Sequence, residues 1–169
     1  MGIEGIKIAK KKITPTEFIM DNEKEVSVLN DLLQITNDRI EGFSKVESKV
    51  WETYSGLKDD YDRLVSHSQT MKSELMQLIR NSGGTAEDTT TTAGTIHRAW
   101  IDIKNSFAAD KDRSTLQNVV FGENAAIKAY QNALDSGDLS QETARKILDQ
   151  LHHLEASYHT FENLDKMRL

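Results

Sequence analysis

Pro15 is the only proline in the chain, so everything after it lacks the one residue that breaks a helix by removing an N–H and crowding the preceding turn. Four segments use that freedom. Apolar side chains recur at steps of three and four through Val26, Leu29, Leu33, Ile40 and Phe43, with Thr36 on the same face. The spacing returns through Tyr61, Leu64, Met71, Leu75 and Leu78, and through Leu116, Val120, Ile127, Tyr130 and Leu134. It returns once more through Ile147, Leu151, Leu154, Tyr158 and Phe161. Each set makes one apolar stripe along a helix.

Capping chemistry suggests the boundaries. Asn22 with Glu25 makes a capping box, so the first helix is expected to open there and run to about Val50. A second helix takes over near Leu57 and ends at "NSGG", Asn81 to Gly84. Ser114 with Gln117 is another box, opening a third helix through about Leu134, and Asp138 or Ser140 caps the fourth. Between the second and third, the polar stretch "TAEDTTTTAG" reads as a loop. After it, Ile96, Trp100, Ile103 and Phe107 keep amphipathic spacing and read as a short crossover helix. Helices of about 25 residues are each roughly 38 Å long. Four of them with one stripe each predict an all-α four-helix bundle. The long middle connection can carry the third helix along the bundle, a single crossover rather than an up-and-down chain.

Charge and composition narrow the function classes. A net charge of -6 and a pI near 5.4 give no global attraction to nucleic acid or to an anionic membrane surface. Cysteine is absent, which excludes disulfides, thiolate metal sites and Cys nucleophiles and agrees with a reducing cytoplasm. No stretch approaches the roughly 20 apolar residues that span a bilayer, and there is no signal-peptide pattern. Residues 1–22, with the basic run Lys7 to Lys12 and the turn-like "ITPTEF", read as a loosely ordered N-terminal extension, or alternatively as a tail for an acidic partner. The domain then covers 23–169. No Gly-rich phosphate loop and no nucleophile-elbow string is present. Trp51 and Trp100 have no basic groove around them and read as packing residues.

Four strings in order, "VSVLNDLLQ…EGF", "SGG…ED", "AGTIHRAW" and "GENAAIKAYQNAL", resemble an uncharacterised bacterial family of ferritin-like four-helix-bundle proteins, over roughly residues 23 to 166. The resemblance implies the ferritin-like fold and a shape similar to the di-iron carboxylate proteins. It points to stress- or envelope-related settings and supplies no activity.

One residue interrupts the stripes. Glu123 falls in the middle of the third helix's apolar face, and a carboxylate facing a core must be paired, hydrogen-bonded, protonated or bound to a metal. A di-iron bundle takes a Glu from each of two helices and Glu-x-x-His from each of the other two. Residues three apart share a face and can reach one ion, and iron accepts carboxylate with imidazole. The residues three before His67, His97, His152, His153 and His159 are Leu64, Gly94, Asp149, Gln150 and Ala156, so the motif does not occur. Where the resemblance implies an inward acidic ligand on the first helix, the stripe carries Ile40, with Glu41 rotated about 100° from it. On the fourth helix His152, Glu155, His159 and Glu162 line up on a face turned away from the stripe, which reads as a solvated face.

Two accounts of Glu123 follow. In the first it belongs to a buried polar layer, paired to Arg39 or His67 with Thr36 and Ser68 nearby. In the second, one divalent ion (iron, manganese or zinc) is held by Glu123, His67 and either Glu41 or His159. The function expected is a non-catalytic binding or structural protein with a degenerate metal site and no cofactor. Its rivals are a metal-binding protein with a redox or storage role, and a helical module that self-associates as a homo-oligomer.

Overall fold

The computed structural model describes residues 12, 14–44, 55–87, 102, 105 and 114–167. They form four long helices: α1 (Pro15–Ser44), α2 (Lys58–Asn81), α3 (Thr115–Asp135) and α4 (Gln141–Lys166). A single 3-10 turn, Ser55–Leu57, leads into α2. Trp51 and the crossover stretch of Ile96, Trp100, Ile103 and Phe107 lie outside the described residues, as does the expected end of the first helix at Val50.

The start of α1 corrects the sequence reading. Thr14 is the cap. Its Oγ1 accepts the Glu17 N–H at 3.2 Å, while the Glu17 carboxylate accepts from the Thr14 N–H at 2.9 Å and its hydroxyl at 3.0 Å. Those bonds hold the Glu17 carboxyl below its ordinary value. Pro15 takes the first helical position, where a missing N–H costs no intrahelical bond and φ is already near helical. The chain expected to be loose is therefore helical from Pro15, and Asn22 and Glu25 lie inside the helix.

The other ends match their local chemistry. At the close of α2, the Gly83 N–H bonds to the Arg80 carbonyl at 3.0 Å and the Gly84 N–H to the Ile79 carbonyl at 2.9 Å. That is a Schellman motif, with Gly83 at φ 79° supplying the left-handed residue it needs. Ser114 and Gln117 form the reciprocal box that opens α3. Of the two candidates for α4, Ser140 is the cap, its Oγ accepting from the Thr143 N–H at 3.3 Å.

Neighbouring helices run antiparallel. The Phe43 and Tyr61 rings meet edge-on at 6.1 Å at one end of α1 and α2, whereas Val26 meets Gly84 at the other. Arg39 to Glu123 and Thr36 to Tyr130 set α1 against α3. Tyr130 to Gln150 joins α3 to α4, and Gln150 to Met71 joins α4 back to α2. Around the bundle the order is α1, α2, α4, α3. The main core gathers Leu29, Leu33, Met71, Leu75, Ala126, Tyr130, Ile147 and Leu154 from all four helices. A second cluster at the Phe43 end includes Tyr61, Leu64, Leu116, Val119 and Phe161. Because α2 finishes beside Val26 and α3 begins beside Phe43, the chain between them joins opposite ends of the bundle.

One helix is more deeply set than a single stripe implies. Residues 28–36 of α1 are buried without a break, Asn30, Asp31 and Gln34 among them. The chain leaving α2 covers part of this surface. Asn30 donates from Nδ2 to the Thr85 carbonyl at 3.2 Å and accepts the Glu87 N–H at 2.8 Å, and Gln34 Nε2 donates to the Glu87 carbonyl. Residues 84–87 are thereby laid along α1. The fit is close at Gly84, where an added Cβ would stand 2.5 Å from Val26 Cγ1.

Candidate functional site

Glu123 on α3 is wholly buried, and Arg39 on α1 meets it. The Arg39 Nε and Nη2 both donate to Glu123 Oε1, at 2.9 and 2.6 Å, with side-chain exposures of 3% and 0%. The guanidinium also lies 5.3 Å from the Phe43 ring centroid, over its electron-rich face. Two N–H groups sharing one oxygen differ from a parallel fork, in which each oxygen takes one. The arrangement leaves Arg39 Nη1 and Glu123 Oε2 without hydrogen-bond partners.

The inward residue on α1 is therefore Arg39, and Ile40, placed on the stripe by the sequence reading, is only half-buried. At 100° per residue, Arg39 and Ile40 fall on either side of the line from Thr36 to Phe43. A helix buried over most of its circumference has no single stripe to choose between them. The position of α3 decides it.

Thr36 and Ser68 are not partners of Glu123. Ser68 Oγ donates to the Leu64 carbonyl at 2.8 Å within its own helix. Thr36 Oγ1 donates to the Leu32 carbonyl at 2.9 Å and lies 3.3 Å from Tyr130 Oη. From there a second polar layer crosses the bundle. The Tyr130 hydroxyl donates to Gln150 Oε1 at 2.9 Å, and Gln150 Nε2 donates to Glu74 Oε2 at 2.7 Å and to the Met71 carbonyl at 3.4 Å. Burial pushes the Tyr130 phenol up to about 12. Sequence reasoning missed this layer. Its signal was Gln150, which sits three residues after Ile147 and four before Leu154 and so shares their face.

Beside the ion pair lies a cavity of about 310 Å³ between α2 and α4. Arg39 and Glu123 line its buried side, Met71, Leu154 and Phe161 its walls, and His67 and His153 its outer part. The two imidazoles stand 4.0 Å apart, tilted by 41°. Burial first, and then His153, hold His67 below its ordinary value; Arg39 adds to that effect and Glu74 opposes it. Ser157 also lines the cavity, its Oγ unpartnered.

The remaining candidate ligands are elsewhere. Glu41 is exposed, and His159 is exposed, 3.9 Å from the Glu162 carboxylate on the same helix. Neither lines the cavity. Among the described residues no group of three or more His, Asp or Glu comes together to hold an ion. A dication on Glu123 would also stand beside a fixed guanidinium charge in a poorly screened interior. Among the described residues the donor set does not fit the metal centre that a ferritin-like fold would imply.

Four antiparallel helices around a buried ion pair define the class: an all-α bundle whose apolar core is crossed by buried polar layers. Residues 24–136 match the family described as a domain of unknown function, DUF2383, and the chain belongs to that family. The match takes in most of α1, with α2 and α3, and stops before α4. No curated protein and no solved structure matches the chain. Among the described residues no helix is long and apolar enough to cross a membrane.

Proposed function

We propose that the chain is a ferritin-like bundle in which an internal ion pair replaces the metal centre, and that it acts by binding or scaffolding rather than by catalysis. The ferritin-like part draws support from the single connection between opposite ends of the bundle and from an inward carboxylate on α3. The observation that carries the rest is Arg39 donating twice to Oε1 of the fully buried Glu123. A guanidinium does for a buried carboxylate what a bound cation does. It neutralises the charge where water cannot, and it needs no further ligands and no loading from solution. The second polar layer is closed: Tyr130 and Gln150 are engaged in bonds to one another and to their neighbours, with no proton or nucleophile held in reserve.

Metal analysis of protein purified without a metal-affinity tag tests the reading. Substoichiometric iron, manganese and zinc is the expected result. Stoichiometric metal that disappears in the Glu123→Gln variant would overturn it.

A further inference from the structure

We propose that the imidazoles of His67 and His153 form a proton-operated latch on the seam between α2 and α4. It is closed while the pair carries one charge or none, and released when both rings are charged. The rings meet across the seam, with centroids 4.0 Å apart and planes tilted by 41°. His67 is half-buried on α2 and His153 is exposed on α4, so protons from solvent reach the pair. Both rings line the cavity of about 310 Å³, and that space leaves this level of the seam without the close packing that would resist a movement. One turn along, Gln150 ties α4 to α2 through the Met71 carbonyl at 3.4 Å and Glu74 Oε2 at 2.7 Å. That bridge is the pivot, since Gln150 precedes His153 by three residues and Met71 follows His67 by four.

The surrounding charges leave a doubly charged pair uncompensated. Arg39 of α1 is committed to Glu123 of α3, and Arg63 is committed to Asp60 within α2, so these lining charges cancel. Glu74 on α2 attracts a proton to His67, but its carboxylate already accepts from Gln150. Asp149, one turn before His153 on α4, is exposed to water, which weakens its hold on a neighbouring cation. Like charges about 4 Å apart repel more strongly beside protein than in bulk water, because the effective dielectric constant is lower there. Burial first, and then His153, hold His67 below its ordinary value. Parting the rings and admitting water relieves both effects, so the open form takes the second proton more readily than the closed one. Acid therefore favours opening. The movement is a swing of residues 154–166 away from the start of α2, which uncovers the cavity walls at Met71, Leu154 and Phe161.

Two methionines of the full chain report on the seam. Met71 lines the cavity and is 1% exposed, whereas Met167 is 76% exposed. Hydrogen peroxide passes one oxygen to a thioether, giving the sulfoxide and water, and attacks only sulfur that it can reach. The ratio of Met71 to Met167 oxidation is measured by peptide mass spectrometry at about pH 7 and about pH 5, either side of the ordinary histidine value. A rise of about fivefold or more at the lower pH is expected as the seam opens locally. His153→Gln cannot supply the second charge and should hold the ratio level. His152→Gln, at an exposed neighbour outside the cavity lining, should respond as the parent does. Amide exchange at residues 28–36, buried without a break in α1, should stay slow at both pH values. A ratio that acid leaves unchanged, or a rise that survives in His153→Gln, would overturn the latch. So would loss of protection at residues 28–36 together with the rise at Met71, which is the mark of general acid unfolding.

Discussion

A charged carboxylate with no exposed surface persists in an apolar core only because something equally buried compensates it, and for Glu123 that is Arg39. The asymmetry of such pairs sets the expected outcomes. Replacing Arg39 with Met strands the carboxylate and should lower unfolding stability by about 3–5 kcal/mol, measured by chemical denaturation. Glu123→Gln, which keeps the shape and loses the charge, should cost about 1–3 kcal/mol. The double change Arg39→Met with Glu123→Leu should recover most of the loss, because an apolar pair of similar volume makes no demand for solvation. Equal stability of Arg39→Met and the parent would show that Glu123 reaches water. Glu123 was legible in the sequence because an acid on an apolar stripe contradicts its surroundings. Arg39 was legible as a partner but not as the inward residue, since one turn of helix holds both it and Ile40. Tyr130 and Gln150 escaped for a different reason: a tyrosine counts as apolar by pattern, and its hydroxyl finds a partner only through the fold.

At the level of the helix, local chemistry was readable and tertiary covering was not. Ser114 with Gln117, the closing glycines after Asn81 and the cap at Ser140 all follow from short-range hydrogen bonding. Thr14, Pro15 and Glu17 carried the same kind of signal, but the adjoining basic run and the proline drew the reading toward a loose tail. Nothing local announces that residues 84–87 lie along α1, because that depends on Asn30 and Gln34 recognising backbone more than fifty positions away. The cap of α4 has a tertiary side too. Glu25, itself buried, accepts from the Ser140 N–H at 3.2 Å and from its hydroxyl at 2.8 Å. Ser140→Ala therefore removes the bond to Thr143 and the hydroxyl that Glu25 holds. The expected loss is about 1–2 kcal/mol, with the earliest rise in amide hydrogen exchange at Thr143 and Ala144. Faster exchange confined to the far end of α4 would contradict this.

For the molecule as a whole, His67 gives stability a direction with pH. Its imidazole is held below the ordinary value, so on acidification the unfolded chain takes a proton first. Stability should be level above pH of about 6.5 and fall from there down to the lowered value of the folded state, and His67→Gln should flatten that part of a denaturation series. At the alkaline end, Tyr61 and Tyr130 are both pushed up to about 12 by burial, so stability falls as pH rises past the ordinary phenol value and their absorbance change comes late. Viewed at this scale the bundle is two helical hairpins, α1 with α2 and α3 with α4. Apolar surfaces alone would tolerate one hairpin sliding past the other by a helical turn, about 5.4 Å. Arg39 to Glu123, Thr36 to Tyr130, Gln150 to Glu74 and Glu25 to Ser140 all bridge from one hairpin to the other, and every one of them is polar. A slipped arrangement would keep its oil and strand its charges. These bonds act as a vernier, so that the alignment of the halves is spelled in hydrogen bonds while the glue between them is indifferent to it.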